Sequence, residues 1–212
     1  AAVLTEYNKP LELWGIDHHP PGWGQVHVRM ISAGICGAQL QEISGLKGTH
    51  RPRLIGHEGV GIALRTGLGV TTVDPGDKVI LHWRPGTGIE SAFPRWYYQE
   101  SFFSSGLVTT FLEETVISEN RCTRVPEHAP NDLCVLLGCG LSTALGVIEH
   151  DAKLKFGEHV LVIGFGGVGS CLVAASKARG AGKISVLDPA DKYVTAFELG
   201  ATGYWQDWGL LP

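Results

Sequence analysis

Up to about residue 130 the chain is cut into short runs by turn-forming residues: Pro20-Pro21-Gly22, Gly45, Gly48, Pro75-Gly76-Asp77, Pro85-Gly86 and Pro126. Between these marks apolar and polar residues alternate. In 25–30 the order Gln, Val, His, Val, Arg, Met puts Val26, Val28 and Met30 on one face and Gln25, His27 and Arg29 on the other, which predicts a half-buried strand. After residue 150 the rhythm changes. The run from His159 to Gly164 is almost continuously apolar, as in a strand covered on both faces, and leads through glycines into a helical pattern over 168–179. A second such strand is predicted over 183–188, a helix over 190–199 stopped by Gly200, and a third strand near Gly203-Tyr204-Trp205. The pattern therefore predicts a β-rich domain over residues 1–150 and the start of an α/β domain over 151–212. No internal repeat is visible.

Composition narrows the function classes. With 212 residues, 44% apolar and 18% charged, the chain can bury a real core, which excludes disorder. Its 17 basic against 21 acidic residues leave no excess for phosphates, so nucleic acid is not an expected partner. The longest apolar stretches, 133–147 and 160–168, fall short of the ~20 residues of a membrane span, so no membrane association is expected. The opening AAVLTEYNKP carries no secretory pattern, and its lack of Met indicates a processed or trimmed start. Five scattered cysteines argue against a disulfide framework and for a reducing compartment, giving an expected cytoplasmic location.

Glycine, at 29 residues, is about twice as frequent as the ~7% average. Six positions give this abundance a direction. Gly164-Phe165-Gly166-Gly167-Val168-Gly169 is a GxGxxG between a predicted strand and a predicted helix. In that context Gly164 allows the tight turn, Gly166 the approach of a pyrophosphate, and Gly169 close helix–strand packing, while Gly167 and Val168 begin a helix whose free N–H groups face the phosphates. Alone the motif is also compatible with a simple turn. Asp188, 24 positions after Gly164 at the end of the next predicted strand, strengthens the nucleotide reading. Its carboxylate suits the ribose hydroxyls of NAD and repels the 2′-phosphate of NADP. Lys192 either lies over the ribose or is a solvated helix-start lysine.

Three further residues offer soft and borderline donors: Cys36 and Cys139, each between glycine-containing turns, and His57 in Gly56-His57-Glu58-Gly59. Two thiolates and an imidazole are a set that zinc accepts with its fourth position open. The two thiolates cancel the formal charge of Zn²⁺ and leave a moderate Lewis acid, suited to alcohol–carbonyl chemistry. Taken singly, each cysteine also reads as a small core residue and the histidine as a hydrogen-bonded one.

Taken together in order, Gly34-Ile35-Cys36-Gly37, Gly56-His57-Glu58-Gly59, Pro75-Gly76-Asp77-Lys78-Val79, 137–143 and 164–169 resemble the zinc-dependent alcohol dehydrogenases of the medium-chain dehydrogenase/reductase superfamily. The resemblance implies a GroES-like catalytic domain followed by a Rossmann domain, and hydride transfer between a small-molecule alcohol or carbonyl and NAD. It makes Cys36, His57 and Cys139 the zinc ligands, with Glu58 as the carboxylate beside the metal and Trp83 as a wall of the substrate pocket. Departures accompany it. Ala38 stands where the family has the Ser or Thr that relays the alcohol proton, Gln39 where an Asp orients the histidine, and Gln41 where many members have a relay histidine. Glu42 or His82 is then the expected carrier. Cys36 is followed by no other cysteine until Cys122, so the family's four-cysteine zinc lobe is missing and one zinc per chain is expected. The aromatic stretch from His82 to Tyr98 takes its place. Ending at Pro212, the chain corresponds to the first half of the six-stranded dinucleotide fold, so it reads as a truncated protein or a fragment; a homodimer is expected at full length. The alternative from another class is a zinc- and nucleotide-binding module without turnover.

Overall fold

The computed structural model describes residues 1–99, 101–103 and 105–210. They form two compact units, Ala1–Cys139 and Gly140–Pro212. The boundary lies ahead of the 150/151 expected from sequence, because the helix that opens at Gly140 packs with the later helices of the second unit.

The first unit contains β1 (Ala2–Leu4), β2 (Glu12–Leu13), β3 (Asp17–His18), β4 (Gln25–Ala33), α1 (Gly37–Ile43), β5 (Arg53–Leu54), β6 (Glu58–Thr66), β7 (Lys78–His82), β8 (Trp96–Tyr98), β9 (Ser101–Phe103), β10 (Glu114–Ser118), β11 (Cys122–Arg124) and α2 (Asn131–Leu136). Its main sheet has the order β10-β4-β6-β7-β11, with every pairing antiparallel. Two small sheets accompany it, β2-β1-β5 and β3-β8-β9. The inner face of the main sheet buries Val26, Val28, Ala63, Val79, Leu81, Ile117 and Cys122 in one cluster, as the alternation of β4 predicts. The other face of β4 departs from the expectation. His27 is also buried, because the short strand β3 brings the His18 ring to 4.5 Å from it. A second cluster, with the fully buried Trp96 at its centre, gathers Val3, Leu54, Phe103 and Leu112. Beyond β10 a 3₁₀ turn, Glu119–Arg121, buries all three of its side chains. Arg121 is held there by two bonds to Glu90 and one to the Trp83 carbonyl.

The second unit begins with α3 (Gly140–Gly146) and continues through β12 (His159–Ile163), α4 (Gly167–Arg179), β13 (Lys183–Leu187), α5 (Tyr193–Leu199) and β14 (Gly203–Trp205). β12, β13 and β14 form a parallel sheet in that order, the β-α-β-α-β arrangement of half a Rossmann fold. Val162, Ile184, Val186, Phe165 and Val173 form its core. Here the sequence expectation of a strand covered on both faces fails for β12: Leu161 and Ile163, on alternate positions of one face, keep 45% and 62% of their surface. α5 begins at Tyr193 rather than Ala190, since the Ala190 N–H is drawn into a turn by the Asp188 carboxylate at 2.9 Å.

No helix among the described residues is long and apolar enough to cross a membrane.

Candidate metal centre and nucleotide turn

Three separate elements of the first unit deliver the thiols and the imidazole. Cys36 caps the N-terminus of α1, His57 immediately precedes β6, Glu58 is the first residue of β6, and Cys139 follows α2. Gly138 makes this convergence possible. A Cβ there would lie 2.6 Å from the Leu81 carbonyl oxygen and 2.7 Å from the Glu58 Cα, so only a glycine lets the chain carrying Cys139 come so close to β6 and β7. One donor atom from each of Cys36, His57, Glu58 and Cys139 then lies within 4.8 Å of every other. Two atoms bonded to one zinc ion at ~2.3 Å can be at most ~4.6 Å apart, so small side-chain adjustments suffice to share an ion.

Electrostatics point the same way. Burial raises the Cys139 thiol to about 11, with further contributions from Cys36 and Glu58, against which the Trp83 indole works. Burial also raises the Glu58 carboxyl, although its bonds with Cys36 and Cys139 oppose this. Burial, with Lys47 nearby, holds the His57 imidazole below its usual range, so the ring is neutral near pH 7. Burial thus disfavours ionisation of the Cys139 thiol and the Glu58 carboxyl, a cost that a divalent cation among them offsets. His57 Nε2 is moreover buried with no hydrogen-bond partner among the described residues. An imidazole nitrogen aimed into a cluster of thiols and a carboxylate fits a borderline metal such as zinc once its proton has passed to Nδ1.

Gln39 links the parts. Only 2% exposed, it accepts the Cys36 N–H at 3.1 Å through Oε1 and lies 2.7 Å from His57 Nδ1 through its amide nitrogen. An amide N–H donated to Nδ1 leaves the ring proton on Nε2. Metal ligation through Nε2 therefore requires that proton to move to Nδ1 and the Gln39 amide to turn its oxygen toward it.

Trp83 lies beside these residues: its indole bonds the Cys139 sulfur, and with Gln39, Glu42, Arg53 and His57 it lines a cavity of about 180 Å³. Ala38 sits half-buried in the first turn of α1 and is not part of that lining. The two relay candidates separate. Glu42 lines the cavity, 4.0 Å from Arg53. His82 has both nitrogens engaged, Nδ1 with the Arg84 carbonyl at 2.6 Å and Nε2 with the Thr123 hydroxyl at 2.8 Å.

In the second unit the glycine turn has the stereochemistry that its motif requires. Gly164 has φ +88°, and a Cβ at Gly169 would lie 1.9 Å from the Gly164 carbonyl oxygen, whereas Cβ atoms at Gly166 or Gly167 would meet nothing within 4 Å. The first and last glycines are thus needed by the fold, and the middle two leave a cradle open in front of the N-terminus of α4, where Val168 is half-exposed. Asp188 is buried and does more than sequence indicated. One oxygen accepts the Phe165 N–H at 2.6 Å and the other the Ala190 N–H at 2.9 Å, bonds that lower its pKa. The oxygen bonded by Ala190 keeps a second lone pair, while the one bonded by Phe165 also faces the Lys192 ammonium. Lys192, 3.6 Å from Asp188, donates to the Phe165 carbonyl at 3.1 Å and so braces the same turn rather than standing free in solvent.

Residues 22–127 match the alcohol dehydrogenase GroES-like domain, and the chain belongs to that family. Among solved structures it is similar in fold to an alcohol dehydrogenase zinc-binding domain protein from Burkholderia ambifaria, with a TM-score of 0.88 and 24% identity over 96% of this chain and 62% of that one. It is likewise similar to the benzyl alcohol dehydrogenase of Acinetobacter calcoaceticus, with a TM-score of 0.85 and 24% identity over 97% of this chain and 62% of that one. The chain thus spans about three-fifths of the length of both structures.

Proposed function

We propose that the protein to which this chain belongs is a zinc- and NAD-dependent oxidoreductase that interconverts an alcohol and a carbonyl. The observation that carries the proposal is the meeting of Cys36, His57, Glu58 and Cys139 within 4.8 Å, with a buried imidazole nitrogen among them that has no hydrogen-bond partner among the described residues. When bound, zinc supplies Lewis acidity at the substrate oxygen and NAD accepts or returns the hydride. The chain's own residues do the rest. Cys36, His57 and Cys139 hold the ion, Glu58 stands beside it, and Gln39 sets the orientation of His57. Trp83, Leu54, Ile55, Leu107 and Val108 give the pocket apolar walls, and Gln39, Glu42 and Arg53 add polar groups able to meet the extra hydroxyls of a functionalised alcohol such as a polyol or sugar. Ala38 has no proton to pass on; Glu42 is the group in that cavity able to carry one. In the second unit Gly164, Gly166, Gly167, Val168 and Gly169 form the cradle for the pyrophosphate, and Asp188 takes the ribose hydroxyls. A reducing, cytoplasmic setting suits cysteines that form no disulfide among the described residues, and a homodimer is the proposed assembly.

The test is incubation of the full-length protein with NAD and a panel of alcohols, polyols and sugars while NADH absorbance is followed, alongside metal analysis. Turnover that disappears in Cys36→Ser with loss of zinc supports the reading. Stoichiometric zinc without turnover of any substrate would replace it with a non-catalytic zinc- and nucleotide-binding module.

A further inference from the structure

A second group of metal-ligating side chains lies in the first unit, away from the thiols. His18 on β3, His27 on β4 and Glu114 at the start of β10 each bring one donor atom within 4.8 Å of the other two. The topology explains the meeting. β4 and β10 pair antiparallel with His27 opposite Val116 and Arg29 opposite Glu114, so His27 and Glu114 are diagonal neighbours on one sheet face. β3 brings His18 to that face. His27 Nε2 lies 2.8 Å from Glu114 Oε2, and His18 Nε2 lies 4.0 Å from the same oxygen.

Counting protons shows what the group lacks. His18 Nδ1 lies 2.8 Å from the His19 carbonyl oxygen, which can only accept, so Nδ1 carries the ring hydrogen. In the neutral ring Nε2 is then a bare lone pair, and it faces a carboxylate oxygen. His27 turns its Nε2 toward the same carboxylate oxygen. Its Nε2–H donates to the Glu114 carboxylate at 2.8 Å, and its Nδ1 is buried with no partner among the described residues, so an ion at Nε2 takes the place of that bond and the ring proton passes to Nδ1. Two lone-pair nitrogens and one carboxylate oxygen can thus converge with no hydrogen between them. Access is open as well. Glu114 and His18 border a cavity of about 710 Å³, where the carboxylates of Asp17 and Glu113 counter the charge of Arg29.

We propose that His18, His27 and Glu114 form a second metal site, taking a divalent first-row transition ion through two imidazole nitrogens and one carboxylate oxygen. Such donors suit zinc, cobalt or nickel rather than magnesium or calcium, and three protein ligands leave a position for water. The ion clips β3, a two-residue strand, to the β4–β10 pair. The sequence led to one zinc per chain; this site raises the capacity to two. It does not depend on the oxidoreductase reading, since it shares no residue with the thiol centre.

Cobalt(II) titration of the metal-free chain tests it. A cobalt ion at Cys36 and Cys139 gives sulfur-to-cobalt charge-transfer absorbance, and one bound by nitrogen and oxygen gives visible bands without it. The expected result is two equivalents, one of each signature. The Cys36→Ser/Cys139→Ser double variant should keep only the second, and zinc should raise its melting temperature by linkage. His18→Ala and Glu114→Gln change partly exposed side chains; each should abolish the second equivalent and leave the charge-transfer band and the metal-free melting temperature in place. A single equivalent in the unaltered chain, or a second one that survives both substitutions, would overturn the proposal. So would loss of the second equivalent together with the fold in both variants, because the effect would then be structural.

Discussion

Glu119 shows how a single side chain can hold a fold. It is fully buried, and its two oxygens accept the backbone N–H groups of Thr71 and Thr72 at 2.6 and 2.9 Å and of Ile89 at 2.8 Å, together with the Thr72 hydroxyl at 3.0 Å. Burial pushes its pKa up, but these bonds together outweigh it and the net shift is downward. A folded pKa below the unfolded one means stability that is present above the unfolded value, ~4.3, and is lost as pH falls through the folded value. Glu119→Gln sets an amide N–H against backbone N–H donors, so unfolding by denaturant at pH 7 should show a loss of about 2–3 kcal/mol, and the gap from the unaltered protein should narrow at pH 3–4. Gln39 makes the matching case for the metal centre. Gln39→Glu offers acceptors to both the Cys36 N–H and a His57 Nδ1–H, so no amide need turn, and zinc should bind about tenfold tighter in a chelator competition. Gln39→Leu leaves both groups unpaired and should weaken zinc by about 10–100-fold. A sequence gives the identity of Gln39 but not the two bonds that commit its orientation.

At the level of elements, the β12–turn–α4 unit separates positions that the fold needs from positions a ligand needs. Gly169→Ala drives a methyl into the Gly164 carbonyl at 1.9 Å and should cost at least about 3 kcal/mol by thermal or denaturant unfolding. Gly166→Ala points into open space, so the fold should melt within a few degrees of the original while binding of NAD or ADP-ribose, measured by calorimetry, is lost. Equal damage to melting by both substitutions would contradict the division. Much of this unit was legible in the chain: GxGxxG is a local backbone requirement, and β12, α4, β13 and β14 fall close to where periodicity puts them. The start of α5 was not, because the Asp188 carboxylate that bends 188–190 acts through a side-chain bond that periodicity does not register.

For the whole molecule, exposed apolar surface has consequences. Leu161 and Ile163 project from one face of β12, and as a pair on alternate positions they make a continuous apolar strip. Sedimentation of the 212-residue chain should show concentration-dependent association, reduced in Leu161→Thr/Ile163→Thr without loss of helix content. By itself the sequence determined what depends on neighbours along the chain: the alternation of β4, the change of rhythm after residue 150, the phosphate-type turn, and the presence of two thiols and an imidazole. Only the tertiary structure decided which of these meet. Cys36, His57 and Cys139 come from three elements whose approach depends on the strand order β10-β4-β6-β7-β11 and on the missing side chain of Gly138. The same order, with β3 laid over β4, buries His27 and brings Glu114 and His18 to it. Donor chemistry is a property of single residues, whereas a shared ion requires distances, and distances between residues remote in the chain are set by packing alone.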